Sequence, residues 1–212
     1  MQRHLILLLV FSVFTAGCLT RKPPVVKYYV LEYPGKESVP SFETTIKGSC
    51  LVKPVEVSAA YSSNQIAIRE NTHELRYFAF NMWAVRPEQA LTGIMLRFLD
   101  DHQVFEELRS PGLVQEADYT LETRVYNLEV DTEGRDYKAR LYIEFSLVDN
   151  NQNRLVKEYR IDRNIPLQDR DLNLFAAATS TIFVELLAAF LESAGDSLHQ
   201  VTENMQDVIK RL

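Results

Sequence analysis

The sequence predicts an α+β fold: an antiparallel sheet with a C-terminal three-stranded meander, two main helices packed on it and a short C-terminal helix. Three observations predict it. Tyr137, Ala139, Leu141, Ile143, Phe145 and Leu147 alternate with Lys138, Arg140, Glu144 and Ser146, the pattern of a strand with one buried and one wet face. Leu91, Ile94, Met95, Phe98 and Leu99 recur at helical spacing. Leu172 to Leu191 is helical and almost wholly apolar, with Glu185 the only charge between Leu174 and Leu191. The chain has 212 residues, 46% hydrophobic and 25% charged, which suits one folded domain of ordinary size.

Residues 1–17 are read as an export signal. Arg3 supplies the positive start, Leu5 to Phe14 is an apolar run broken only by Ser12, and Thr15-Ala16-Gly17 are small residues before Cys18. A span of the bilayer needs about 20 apolar residues, so the run is too short to be one. Cys18 after the Ala-Gly pair resembles a bacterial lipobox, although Thr15 stands where leucine is more usual. That resemblance implies cleavage before Cys18 and its acylation, and each buried methylene adds ~0.8 kcal/mol of membrane affinity. Leu19, rather than Asp, after the cysteine favours the outer membrane, on its periplasmic face.

Residues 18–26 are a lipidated tether stiffened by Pro23-Pro24; at ~3.1 Å per residue its extended reach is about 25 Å. Residues 27–195 are the α+β domain. Tyr28 to Tyr33 is a first strand and Ile46 to Val57 a second, in which Pro54 demands an irregularity or an edge position. Gln65–Arg69 and Glu74–Phe80 form two more around an Asn71-Thr72 turn. Pro87 suits the first position of a helix running to about Val104, with Ser110-Pro111-Gly112 closing the connection after it. In Tyr119–Val130 the apolar phase switches from Tyr119, Leu121 and Val125 to Tyr126, Leu128 and Val130, predicting a β-bulge near Val125. Turns at Glu133-Gly134 and Asn150-Asn151 complete the meander, whose last strand carries Leu155, Tyr159, Ile161 and Ile165.

A transmembrane reading of Leu172–Leu191 meets its short length, its Thr179-Ser180-Thr181 triplet and the anchor already in the chain. A helix apolar nearly all round needs a second cover besides the sheet. Residues 196–212 are read as a separate amphipathic helix, capped by Asp196-Ser197 and carrying Leu198, Val201, Met205, Val208 and Leu212 at spacings of 3 and 4. This seam either docks on the parent domain or frays, or it contacts a neighbouring subunit or partner. Trp83 has the same two readings, core residue or partner anchor.

Little in the chain points to chemistry. A net charge of −6 lacks the basic footprint of nucleic-acid binding. Cys18 and Cys50 are the only cysteines, and His4, His73, His102 and His199 are scattered without metal-ligand spacing. Asp131, Glu133 and Asp136, and Asp149 with the asparagines after it, do not match a calcium loop. Nucleophile elbows, phosphate loops and dinucleotide fingerprints are absent from a sequence with seven glycines. The expectation is no enzyme, no catalytic residue, no metal and no cofactor.

The order of parts resembles a family, the PqiC-like ABC-type transport auxiliary lipoproteins. The residues that carry the likeness are Cys18, Tyr28-Tyr29-Val30-Leu31, Val52-Lys53-Pro54-Val55-Glu56-Val57, Tyr61, Gln65-Ile66-Ala67-Ile68-Arg69 and Trp83-Ala84 before Pro87. Ala59 and Met82 depart from the proline and arginine usual there. The resemblance implies a non-catalytic α+β lipoprotein working beside an MCE-domain protein and its ABC transporter, moving lipids or other hydrophobic molecules across the envelope. It also implies that the chain can form a homo-oligomeric ring. The competing reading is a lipoprotein cofactor for another envelope machine, lipopolysaccharide insertion or peptidoglycan synthase activation.

Overall fold

The computed structural model describes residues 24–38, 45–111, 116–132 and 136–211, with side chains as far as Gln200. The export signal, Cys18, the Glu133-Gly134 turn and the side chains of Val201, Met205, Val208 and Leu212 therefore lie outside the described residues. Within them the chain forms β1 (Lys27–Tyr29), β2 (Ile46–Val52), β3 (Glu56–Val57), β4 (Gln65–Asn71) and β5 (Glu74–Trp83). These are followed by α1 (Pro87–Asp101), β6 (Phe105–Arg109), β7 (Tyr119–Asp131), β8 (Lys138–Asp149), β9 (Arg154–Pro166) and α2 (Leu172–Arg211).

The fold class is α+β, but the sheet is mixed rather than antiparallel, and β7 is its spine. Along one edge of β7 three short strands pair in parallel: β2 at Tyr119–Leu121, β3 at Arg124–Val125 and β4 at Glu129–Asp131. Along the other edge β8 runs antiparallel over its whole length, and β9 runs antiparallel to β8. β6 joins β2 in parallel, β5 joins β4 antiparallel, and β1 joins β5 in parallel. Alternation along a strand shows which face is buried but not which way its neighbour runs. The direction follows from the long α1 connection, which returns the chain to the same end of the sheet.

Two irregularities follow from particular residues. From Val52↔Leu121 to Glu56↔Arg124 the early segment uses one residue more than β7, and Pro54, which has no N–H to give the ladder, sits in that gap. The freed Val55 N–H donates to Thr92 Oγ1 of α1 at 2.8 Å, tying helix to sheet. In β7 the register against β8 shifts between Val125 and Asn127, the bulge that the change of apolar phase predicts. β6 is not predicted by the sequence pattern, which gives Phe105–Arg109 as connection.

The core lies between the sheet and the two helices. Ala139, Leu141, Ile143, Phe145 and Leu147 point from β8 into α2, whose Phe183 and Phe190 rings lie 6.0 and 5.4 Å from Phe145. Each such fully buried Leu, Ile or Phe side chain contributes about 1.5–3 kcal/mol. The second cover that α2 requires is within the chain: α1 packs on it, and the Glu32 N–H donates to Ser180 Oγ at 3.2 Å. By length and composition Leu172–Gln200 is a helix able to cross a membrane, yet 67% of its most apolar window is buried in this body.

α2 also corrects the expectation of a separate last helix. It runs unbroken from Leu172 to Arg211. Asp171 caps its start, its carboxylate accepting the Asn173 N–H at 2.8 Å. Ser197, which looks like a second cap in the sequence, instead donates from within the helix to the Ser193 carbonyl at 2.9 Å. Gly195 costs such a helix only about 1 kcal/mol, which surrounding burial offsets.

Candidate functional site

The face of the sheet away from α2 is built from charges in register. Cross-strand pairing aligns Glu56, Arg124, Glu144 and Arg160 in one row over β3, β7, β8 and β9. Arg124 bonds Glu56 at 3.1 Å and Glu144 at 3.3 Å, Arg160 bonds Glu144, and Tyr126 donates to Glu144 at 3.0 Å. Burial opposes the charge on Glu144, but Arg160, Tyr126 and Arg124 prevail and hold its carboxyl below the usual range. Signs alternate along the row, so each pair is attractive.

A second group is buried deeper. Glu129 is 0% exposed, and Arg69 grips both its oxygens, Nε to Oε1 at 3.0 Å and Nη2 to Oε2 at 2.9 Å. Arg140 adds a bond at 3.2 Å, Tyr61 donates its hydroxyl at 2.6 Å and Asn127 an N–H at 3.3 Å. Arg140 also clamps Asp162 at 3.1 and 2.7 Å. Burial and the neighbouring Glu129 push the Tyr61 hydroxyl up to about 12. Tyr61 and Arg69 carry part of the family likeness; Glu129, Asn127 and Arg140 escape sequence reading because only the register brings them together. Every polar atom of this carboxylate has a partner, so the group fastens β4, β7, β8 and β9 and leaves no reactive oxygen.

The residues singled out by sequence fall as follows. Trp83 is 2% exposed, its ring 5.6 Å from that of Phe175, so in the single chain it is a core residue and presents nothing to a partner. Cys50 is fully buried, and burial pushes its thiol up to about 12. His102 is buried against Phe98, their rings 4.5 Å apart, and burial lowers its pKa. The acidic turn at Asp149 is occupied by its own surroundings: Asp149 accepts the Gln152 N–H at 3.0 Å, Asn150 bonds the Ala117 carbonyl at 2.8 Å, and Asn151 bonds Asp118 at 3.0 Å. Among the described residues no group of three or more His, Cys, Asp or Glu side chains is placed to hold a metal ion.

What the fold offers instead is two ends. At one, β1 and the start of α2 meet: Tyr28, Tyr29 and Val30 border a groove with Asn173, Ala176 and Ser180. At the other, Gly195, Leu198 and His199 of α2 border a groove with Ile46, Lys47 and Tyr119. Leu198 is partly buried against the core there. Val201, Met205 and Val208 lie beyond it on the same helix. At 1.5 Å per residue the helix from Leu172 to Arg211 is about 60 Å long, about twice the roughly 30 Å between the middles of its two grooves.

The sequence matches a family model described as "ABC-type transport auxiliary lipoprotein component" over residues 29–190. No curated protein matches it. Among solved structures it is similar to protein XCC0632 from Xanthomonas campestris, with 18% identity and a TM-score of 0.66 over 87% of this chain and 99% of that one. An uncharacterised protein aligns with 15% identity and a TM-score of 0.58, over 82% and 98% of the two chains. The PelC dodecamer from Paraburkholderia phytofirmans aligns at 11% identity and a TM-score of 0.42, over 79% and 93%, too distant to speak to assembly here. The first two likenesses concern the fold alone.

Proposed function

This chain belongs to the family of ABC-type transport auxiliary lipoprotein components, and from that premise we propose that it is a lipid-anchored adaptor in an MCE-type ABC transport system. The family is a transport auxiliary one rather than an enzyme family, and its lipoprotein character implies a place in the bacterial envelope. Acylated Cys18 holds the body on the periplasmic face of the outer membrane, and the body receives an MCE-domain protein that carries lipids or other hydrophobic molecules. The observation that supports this reading best is the division of the molecule into two ends. The tether enters beside β1 and the start of α2, while the far end of α2 continues beyond Leu198.

Position, not reactivity, is then the contribution of the protein. Leu198, Val201, Met205 and Val208 form the contact to a partner or to a second copy in a ring, and a ring gives each subunit the same contact twice. The carboxylates of Glu129 and Glu144 are consumed in bonds that hold the sheet, which suits a scaffold. The test is co-purification of the acylated chain with an MCE-domain protein of the same envelope, in mild detergent. Recovery of the MCE protein, lost on Leu198→Glu, supports the adaptor; no recovery with both proteins present overturns it.

A further inference from the structure

Where the described chain begins, its edge is unusually apolar. Val25 is 80% exposed, Tyr28 64% and Val30 47%, and Val26 is exposed beside them. β1 pairs only with β5 among the described strands, and Tyr28 lies opposite Met82. Phe80, two residues before Met82 in β5, is exposed, as is Val85 just after that strand. Edge strands are ordinarily blunted by charge or proline; here Lys27 is the one charge from Val25 to Leu31. Contiguous exposed apolar side chains of this kind mark a contact surface.

The chain outside the described region says what covers it. From Cys18 to Pro24 there are six peptide steps, which span at most about 22 Å at full extension. The headgroup layer of one leaflet is about 7 Å thick. An acyl chain at Cys18 therefore holds this edge within a short distance of the bilayer however the tether is bent. Tyrosines favour the zone where a bilayer meets water, because the ring is apolar and the hydroxyl wet. Lys27 borders the patch with a positive charge that anionic headgroups attract, while Arg86 beside Val85 is paired with Glu88 at 3.7 Å.

We propose that Val25, Val26, Tyr28, Val30, Phe80 and Val85 form a membrane-seating face that lies in the bilayer interface beside the acylated cysteine. This rests on the acylation of Cys18. The face adds a second contact to the anchor and orients the body, directing α2 away from the lipid.

The test uses the full acylated chain in phosphatidylethanolamine–phosphatidylglycerol vesicles. Val30→Cys and Val25→Cys each carry a polarity-sensitive fluorophore, with Gln152→Cys, in the exposed β8–β9 turn, as the distant control. Cys50 is fully buried and Cys18 is consumed by its thioether, so the new thiol alone is labelled. The expected result is a blue shift at residues 25 and 30 and loss of emission when the lipids carry nitroxide, with the label at 152 unchanged. Vesicle-bound protein whose labels at 25 and 30 stay unquenched overturns the seating face while leaving the anchor standing. A blue shift that persists without lipid and rises with protein concentration assigns the face to a second copy and also overturns it. Protein that fails to float with the vesicles overturns the anchor, and the seating face falls with it.

Discussion

Gln103 ends α1 in the left-handed region, with φ 48°. Its N–H donates to the Asp100 carbonyl at 3.1 Å and that of Val104 to the Leu99 carbonyl at 3.1 Å, the paired bonds of a Schellman turn in which glycine is the usual occupant. Gln103→Gly should stabilise the protein by about 1 kcal/mol in urea unfolding. Gly48 is the opposite case: its φ is 107°, and a Cβ would sit 2.9 Å from Asp118 Oδ2. Gly48→Ala should cost about 2 kcal/mol. That Asp118 oxygen accepts the Ser49 N–H and hydroxyl, both at 2.8 Å, and these bonds with Asn151 hold the carboxyl down to about 2. The unfolded value is ~3.9, so the stabilisation is fully present above about pH 4 and is lost as the pH falls towards 2. Asp118→Asn should therefore unfold at lower urea than the parent at pH 7, and the gap should close by about pH 2.

At the scale of elements, α1 carries Gly93 at an exposed position where a Cβ meets nothing within 4 Å. Gly93→Ala should stabilise by about 1 kcal/mol, read as a rise in melting temperature. α1, β8 and the bulge in β7 are legible in the sequence because each buries one face only, so the pattern of side chains records the period of the backbone. β6 is not legible: its five residues, Phe105-Glu-Glu-Leu-Arg109, include three charges, and pairing with β2 rather than burial makes them a strand. The continuity of α2 past Gly195 is hidden for a related reason. Glycine, Asp and Ser together imitate a stop and a start, and only tertiary packing keeps the helix going. The cross-strand salt rows are unreadable without register, since Arg124 and Glu144 are neighbours in space and 20 residues apart in the chain.

At the scale of the whole molecule, Glu129 joins four strands that arrive from distant parts of the sequence. Removing one partner from a buried ion pair costs about 3–5 kcal/mol because a charge is left uncompensated. Arg69→Met should lower stability by about 3 kcal/mol, the low end, since Arg140, Tyr61 and Asn127 remain on the carboxylate. A tenfold smaller effect would mean that the group is a passenger of the sheet. The lipobox-like cysteine and the apolar seam after Leu198 are readable as separate features, but the placement of β1 and the far end of α2 at opposite ends of the body is not, because it depends on how β1 and α2 pack within the fold. That placement bears on how load passes through the protein. A single rod of helix is the keel of the body through Leu198 and the arm beyond it, with no hinge between the two. Whatever grips the arm thus pulls directly on the hydrophobic interior, so a tug at one pole reaches β1 at the other.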